Sequence, residues 1–460
     1  MKKFTTRRRK SHFTARAPLV ALGLKEQQMG LFQTIAQHVQ IDQKVIRYTP
    51  IEKLKDAFIA ILAGGKGLVE LNKRVRPDRY LQWAFGRDGC AEQSVVSETL
   101  NACTAENVAQ GEKALGAIYQ EHSRACRHNY EERYQLLDVD MSGMPCGKKA
   151  AFASKGYFAK QRNRRGRQLG RVLATRYEEI VVDRLYDGKT QLPRAFQPLV
   201  EQAEAVLELD EGKRKCTILR TDGHGGSQDD VNWALARGYH LHTKEYSGKR
   251  ARKLAETVKV WHEDPKSPGR QIGWVTAEPS EYLRPVKRIA VRTRKKNGQW
   301  GVGVILSTLP AEEIVLLARM PIDRLSDPVA VLLAYVYFYD LRGGGVETEF
   351  KEDRQGLGIT KRNKKHFEAQ QVIVQLNALA HNFIVWAREW LAPYWERLKG
   401  YGMLRMIRDV LHMRGLVRYD RRGHIREIIL DDRDPLGPGL RTGLQILLAP
   451  LDVAVNLGEI

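Results

Sequence analysis

LLDVDM, residues 136–141, marks the point at which the chain changes from helical spacing to strand-like alternation. Upstream, stretches such as 51–63 and 104–127 space their apolar residues as helices do, which predicts an all-α region over 1–135. Downstream, strand patterns alternate with helix patterns to about residue 264, an order typical of an α/β domain with a central mixed sheet. The quoted residues therefore predict the first strand of that sheet.

Beyond residue 264 the pattern changes twice more. Residues 265–318 contain short strands joined by turns, which predicts a β-rich insertion in the α/β domain. Residues 319–396 return to helical spacing, so we expect the α/β domain to have a first part over 136–264 and a second part over this later segment. The segment 397–460 mixes helix and strand patterns and does not indicate a role.

The composition indicates a soluble globular protein with a polyanionic partner. The 460 residues are 43% apolar and 28% charged, and their net charge is +22. This excess of Lys and Arg predicts nucleic acid as the partner, and a basic enzyme with an unrelated substrate is the alternative. The longest apolar run is far shorter than the roughly 20 residues of a membrane span.

The cysteines and the N-terminus bear on the compartment. The five cysteines are scattered without CxxC spacing, which indicates free thiols in a reducing environment. The basic N-terminus is not followed by an apolar stretch of signal-peptide length. We therefore expect the protein in the cytoplasm, without export.

Asp138 and Asp140 stand two positions apart in the first predicted strand. Because side chains alternate along a strand, both aspartates share a face with Leu136. Burying two carboxylates on an apolar face is costly unless they are paired or bound to a cation. An edge strand with one wet face is the alternative, and the pattern alone leaves both interpretations open.

Two later stretches place acids where α/β sheets keep functional groups. Asp222 ends the predicted strand KCTILRTD and precedes the turn GHGG, so it stands at the rim of the sheet. Ordinary Asp-Gly turn chemistry is the alternative. The stretch VETEFKEDRQ predicts a helix on which Glu347, Lys351 and Arg354 share one face at i, i+4 and i+7. The acids left for the helix surface are Glu349, Glu352 and Asp353.

Three separated acids in a basic α/β protein suggest a site for hard cations. Carboxylate oxygens are the ligands that Mg²⁺ prefers, and two ions about 3.5–4 Å apart can hold the attacking and leaving oxygens of a phosphoryl displacement. One of Asp138 and Asp140, together with Asp222 and Glu347, would then bind two Mg²⁺ ions, for which Mn²⁺ could substitute, and act on a DNA phosphodiester. The sequence contains no Walker-type phosphate loop, so it does not indicate a dependence on ATP.

The order of DVDMSG, ILRTDGHGG and YDLRGGGVETEFKEDR resembles the DDE transposases of bacterial insertion sequences, over roughly residues 136–396. The resemblance is narrower to the branch with a β-rich insertion between the second Asp and the Glu and with a Tyr-x2-Arg-x3-Glu-x6-Lys signature. It implies an RNase H-like core, a mixed sheet flanked by helices. It also implies an enzyme that cleaves the ends of its element and joins the 3′ hydroxyl to target DNA.

The same resemblance assigns the three acids. Asp140, with Ser142 close behind it, matches the first metal-binding acid, and Asp138 is the fallback. Asp222 matches the second acid. Glu347 matches the third acid.

Tyr339 and Arg342 match the DNA-contacting Tyr and Arg of the signature, from which the chain departs twice. Arg354 stands where the signature has Lys, which keeps the charge but replaces a compact ammonium group by a planar guanidinium group. Four residues, GGGV, separate Arg342 from Glu347 where the family usually has three. In a continuous helix this step would turn Arg342 about 140° away from Glu347. We expect the three glycines to break the helix and absorb the extra residue.

A basic stretch with aromatic residues follows the first acidic strand. GKKAAFASKGYFAKQRNRRGRQLGR, residues 147–171, has nine Lys or Arg residues and no acid. It is expected to bind the DNA backbone beside the acids, and a solvated basic hairpin is the alternative. The residues of the chain assigned to DNA are Tyr339, Arg342, Arg354, Lys351, Lys155, Arg162, Arg164, Arg165 and Arg167.

Together these features predict a DDE transposase that carries out cut-and-paste transposition at the nucleoid. The helical region 1–135 would recognise the inverted-repeat ends, and a homodimer would bring two ends together in a synaptic complex with target DNA. One alternative is an RNase H-like nuclease without strand transfer. The other is a catalytically silent DNA-binding protein derived from a transposase.

Overall fold

The computed structural model describes residues 11–156, 158, 161, 163–277 and 281–460. The chain forms two compact units. The first comprises Met1–Glu121, Lys149–Ala151 and Lys351–Ile460, and the second comprises His122–Lys148 and Phe152–Phe350. This division differs from the predicted boundaries, because residues 319–350 belong to the second unit and residues 351–396 to the first.

The first quarter of the chain is largely helical, and most strands follow residue 134. The helices are α1 (Ala17–Met29), α2 (Leu31–His38), α3 (Pro50–Leu62), α4 (Val69–Arg74), α5 (Arg79–Ala84), α6 (Gln93–Ala102), α7 (Ala105–His122), α8 (Leu192–Leu207), α9 (Glu211–Lys215), α10 (Gln228–Ala236), α11 (Gly248–Glu256), α12 (Ala311–Leu317), α13 (Pro328–Asp340), α14 (Val346–Glu352), α15 (Phe367–Leu391), α16 (Met403–Arg405) and α17 (Gly437–Leu448). The strands are β1 (Ser11–Thr14), β2 (Gln135–Pro145), β3 (Ser154–Lys155), β4 (Arg165–Ala174), β5 (Glu179–Asp187), β6 (Thr217–Thr221), β7 (His240–Lys244), β8 (His262–Glu263), β9 (Arg270–Trp274), β10 (Lys287–Arg294), β11 (Trp300–Ser307), β12 (Gly415–Tyr419), β13 (Ile425–Asp431) and β14 (Ala454–Gly458).

The first unit is a helical body with a small sheet. Its longest helix, α15, is apolar on most sides and packs against α3, α6 and α17. A capping box between Thr49 and Glu52 fixes the start of α3. The small sheet has the order β1-β12-β13-β14. The region predicted as all-α therefore also contributes β1, a four-residue strand that is too short for periodicity to reveal.

A mixed sheet forms the centre of the second unit. Its order is β4-β2-β6-β7-β11-β10-β9-β8, and β4 also pairs with β3 and β5 along its other edge. The β2–β6 and β6–β7 pairs are parallel, and the remaining pairs are antiparallel. Because β2 and β6 are parallel neighbours, their carboxyl ends lie at the same edge of the sheet.

The β-rich insertion extends this sheet. β11 pairs antiparallel with β7, and β10 and β9 follow. Residues 265–318, for which the sequence predicts a β-rich insertion, also contain α12. Among the described residues, no helix combines the length and the apolar character that crossing a membrane requires. The five cysteines are free thiols.

Helix α13 leads the chain to the candidate site. Its sequence PVAVLLAYVYFYD is apolar all round, and nearly all of it is buried, as expected for a helix covered on every side. Pro328 occupies its first position, and the Asp327 carboxylate accepts a hydrogen bond from the Val329 N–H at 2.9 Å. The helix packs against β9, β10 and β11, which fixes the point from which the glycine-rich segment departs.

Candidate active site

Asp138 is held in a buried ion pair. β2 lies between β4 and β6, so the edge-strand alternative does not apply. Asp138 is directly opposite Arg220 on β6, whose Nε and Nη2 donate to Oδ1 and Oδ2 at 2.7 and 3.0 Å. Neither side chain is more than 2% exposed. Because Arg220 engages both oxygens, the geometry favours a structural role for Asp138 over that of a fallback metal ligand.

Asp140 lies two residues further along the same strand face. Its Oδ2 accepts from Arg342 Nη2 at 2.7 Å, and its Oδ1 accepts from the Met141 N–H at 2.7 Å. Burial raises the pKa of Asp140 to about 7; Arg342 acts against this rise, and the charges of Asp222 and Glu347 add to it. The rise therefore comes chiefly from burial, and the strongest charge acting on Asp140 is the Arg342 guanidinium.

Asp222 and Asp140 line the same cleft. Asp222 directly follows β6 and stands two positions beyond Arg220, as Asp140 stands two positions beyond Asp138 on the parallel neighbour. The cleft has a volume of about 360 Å³, and Lys155 and Lys189 also line it. The two acids that the sequence predicted as partners are thus brought together at one edge of the sheet.

The glycine-rich segment breaks the helix as predicted. After α13 the chain forms a 3-10 turn over Leu341–Gly344, and Gly345 then leaves the helical region at φ −97° and ψ −120°. Arg342 Nη1 donates to Glu347 Oε1 at 2.8 Å. The Arg342 side chain is 3% exposed and that of Glu347 is 57% exposed. Arg342 therefore reaches the site and joins Glu347 to Asp140.

Tyr339 is covered by the protein. It is buried at the end of α13, and the Lys244 ammonium lies 4.3 Å from the centre of its ring. Burial raises the pKa of Tyr339 to about 12, and burial lowers the pKa of Lys244. The side chain predicted to contact DNA thus presents little surface.

The remaining signature residues follow a different path from the predicted helix. α14 ends at Glu352, and a π-helical turn over Asp353–Leu357 contains Arg354. Lys351 and Arg354 are exposed and belong to the first unit. The regular i, i+4, i+7 face does not extend to Arg354, because a π-helical turn changes the angular spacing.

The acids predicted for the helix surface are mostly engaged in the interior. Asp353 is buried, and its Oδ1 lies 2.7 Å from His381 Nδ1. Glu349 is also buried, and Glu352 accepts from the Leu404 N–H at 3.0 Å. The sequence did not reveal these contacts because both partners lie on distant segments of the chain.

The basic stretch is only partly on the surface. Lys155, Arg164 and Arg165 are exposed, while Arg162 lies outside the described residues. Arg167, predicted to contact DNA, is 1% exposed. It stands within the sheet, opposite Met144 on one side and Asp187 on the other, so its side chain is not available at the surface.

Comparison with known proteins gives a likeness at low sequence identity. No protein-family model and no curated protein matches the chain. Among solved structures, it is similar to a piggyBac transposase determined by electron cryo-microscopy as a synaptic complex with hairpin DNA. The two chains are 13% identical, the match covers 86% of this chain and 79% of that chain, and the TM-score is 0.47. At this level the likeness assigns neither a family nor a role to any residue.

Sequence reasoning missed two residues of the site. Arg220 stands two positions before Asp222, as Asp138 stands two positions before Asp140. Once β2 and β6 are paired in parallel, this equal spacing places Arg220 beside Asp138, so the sequence contained a signal for the pair. Lys189 follows β5 in a turn that brings it to the cleft. Nothing in its local sequence distinguishes it from other turn lysines.

The three predicted ligands suit a hard divalent cation in their chemistry. All three supply carboxylate oxygens, and the negative charge around Asp140 is of the kind that a cation offsets. Arg342 joins two of the three, and the described part of the chain contains no group of three or more His, Cys, Asp or Glu residues placed to hold a metal ion. The donor set fits, and a guanidinium stands between two of the donors.

Proposed function

We propose that this protein is a DDE transposase that cleaves DNA at the ends of a mobile element and joins the 3′ hydroxyl to target DNA. One observation carries the proposal. Asp140 and Asp222, from two adjacent parallel strands, line one cleft, and Arg342 connects Asp140 to Glu347. Acids so far apart in the sequence meet at the carboxyl edge of a sheet in a chain of net charge +22.

The strand order supports an RNase H-like core. β5, β4 and β2 form an antiparallel trio, and β2, β6 and β7 form a parallel one. Helices such as α8 and α13 pack against the sheet. Asp222 directly follows β6, and Asp140 lies in β2 just beyond the part that pairs with β6, where open α/β sheets place their functional groups.

In this proposal Asp140, Asp222 and Glu347 hold Mg²⁺, or Mn²⁺ as a substitute. The bound cations would stabilise the charge on the attacking and leaving oxygens. The chain itself fixes Asp140 within β2 and Asp222 directly after β6, and it offers positive charge to a phosphate. The ammonium groups of Lys155 and Lys189 are exposed beside the cleft and have no hydrogen-bond or ion-pair partner among the described residues.

The partners proposed are DNA and a second copy of the chain. The positive net charge supports binding to the phosphate backbone. The helices of the first unit would recognise the inverted repeats, with Arg354, Lys351, Arg164 and Arg165 as further DNA contacts. Two ends must be held at once, so we expect a homodimer in the synaptic complex, acting in the cytoplasm at the nucleoid.

The test uses a DNA that carries the inverted repeats flanking the gene. The protein is incubated with this DNA and Mg²⁺, and cleaved and joined products are separated on a gel. Glu347→Ala should lose both products because it removes one of the three carboxylates. Glu211→Ala is the control, since Glu211 is an exposed acid in the helix that precedes β6, at the end opposite Asp222.

Each result assigns the function. Glu347→Ala cleaving at the parental rate would refute the role given to that residue. Cleavage without a joined product would favour the nuclease. Binding to the ends without any cleavage by the parent would favour the catalytically silent DNA-binding protein.

A further inference from the structure

Arg342 occupies the space between two carboxylates that the proposed function assigns to cations. One arm of its guanidinium donates to Asp140 at 2.7 Å and the other to Glu347 at 2.8 Å. The guanidinium is buried, whereas Glu347 is exposed. One guanidinium thus bridges both acids.

This arrangement leaves Arg342 incompletely paired. Its Nε is buried and has no hydrogen-bond partner among the residues that the structure describes. An unsatisfied buried donor is costly, more so on a charged group. A phosphate offers two oxygens to the planar guanidinium fork. A DNA phosphate in reach would therefore give Arg342 a better set of contacts.

Open space lies beside the first two glycines after Arg342. A Cβ added at Gly343 or Gly344 would meet no atom within 4 Å. At Gly345, by contrast, an added Cβ would clash with the Asp138 carboxylate. The start of α14 thus packs closely against the buried pair, while the two glycines before it face open space.

A divalent cation and the guanidinium exclude each other from this position. A cation held by Asp140 and Glu347 would lie within a few ångströms of Arg342. Like charges at that distance in a partly buried site repel strongly. Cation binding therefore requires that Arg342 first leave the two carboxylates.

We propose that Arg342 is an internal counterion that competes with divalent cations for Asp140 and Glu347, and that a DNA phosphate releases it. This inference rests on the proposed function, because it takes the two acids as cation ligands. DNA binding and cation binding are then coupled, and each raises the affinity for the other by the same factor. Without DNA, Arg342 stays bound to Asp140 and Glu347, and divalent cations bind these two carboxylates weakly.

The experiment measures Mn²⁺ affinity of the full-length protein by titration calorimetry, without DNA. Arg342→Gln should bind Mn²⁺ at least about fivefold more tightly than the parent, the lower end of ordinary coupling factors. Arg342→Lys keeps the charge and should stay close to the parent. Arg184→Gln is the control, because it removes one exposed arginine of the same unit without touching the site.

A second arm adds a duplex that already ends at the 3′ terminus of the inverted repeat, so that no bond remains to be cleaved. This DNA should raise the Mn²⁺ affinity of the parent by at least the same factor, and that of Arg342→Gln by less. The comparison of the parent with and without DNA does not depend on any variant folding.

The outcomes separate the two proposals. Equal Mn²⁺ affinity of the parent and Arg342→Gln, together with no effect of DNA on the parent, would overturn the counterion and leave the cation site standing. No Mn²⁺ binding by any variant, with or without DNA, would overturn the cation site and the counterion with it.

Discussion

Asp138 and Asp140 lie two residues apart on one strand face, yet each meets its arginine in a different setting. Arg220 comes from a neighbouring strand and engages both oxygens of Asp138 in the interior. Arg342 comes from a glycine-rich turn and is shared between Asp140 and an exposed glutamate. The element that supplies the arginine therefore separates a carboxylate that is fully paired in the interior from one that shares its arginine with an exposed acid.

The largest expected effect breaks the buried pair. Asp138→Asn leaves Arg220 buried without a countercharge, which should lower the free energy of unfolding by about 3–5 kcal/mol. Asp140→Asn should cost little, because an amide is cheaper to bury than a carboxylate and Arg342 keeps Glu347. Denaturant unfolding of both variants measures the difference. Equal losses would show that the two aspartates are equivalent.

The next effect concerns Gly345, which packs against the Asp138 carboxylate. Gly345→Ala places a methyl group against the Asp138 carboxylate and close to Thr175, and overpacking of this kind costs about 1–3 kcal/mol. Gly344→Ala is the matched control, since its methyl group meets no atom within 4 Å and should change stability by less than about 0.5 kcal/mol. Denaturant midpoints of both alanine variants test this, and a stable Gly345→Ala would contradict the contact.

Lowering the pH should reduce the stability of the fold around the Asp138–Arg220 pair, because the nearby His242 is buried as a neutral ring. Burial lowers the pKa of His242 to about 3, and the charge of Arg220 lowers it as well. Nε2 donates to the Tyr335 carbonyl at 3.1 Å, so Nδ1 accepts from the Ser307 hydroxyl and the ring is neutral. The unfolded chain takes up a proton near pH 6.5, so stability is lost as the pH falls below that value, by about 1.4 kcal/mol per pH unit.

The measurement compares the parent with His242→Gln from pH 7.5 to pH 5. Only the parent should show this component of acid sensitivity, so the difference between the two proteins should shrink as the pH falls. A constant difference would mean that the pKa of His242 is the same in the folded and the unfolded protein.

The smallest expected effect concerns DNA binding at the cleft that Asp140 lines. Lys189→Ala should weaken DNA binding in EDTA and lower the slope of log affinity against log salt by about 0.9, the value for one lost phosphate contact. Lys215→Ala is the control, because Lys215 is exposed just before β6, at the end away from the cleft. Fluorescence anisotropy over a range of salt concentrations gives both slopes, and identical slopes would exclude Lys189 from the DNA contact.

The sequence could predict which face the acids share but not how each is paired. Alternation alone placed Asp138 and Asp140 together, and the helix break followed from three glycines. The pairing of Asp138 with Arg220 depends on the register between β2 and β6, which local patterns do not encode. Asp353, in the π-helical turn, likewise contacts a distant residue, His381. Arg167 lies in an inner strand, and its burial depends on the tertiary packing of the sheet, which local patterns do not encode.

The fixed position of Gly345 and the open surroundings of the two glycines before it have a consequence for how relatives of this chain are recognised. A residue inserted or deleted at 343–344 would change the reach of Arg342 while leaving Glu347 where it is. The spacing between these two residues is therefore expected to drift among homologues more freely than the spacing within α14. A search pattern that demands one fixed gap would pass over chains that keep the same three carboxylates.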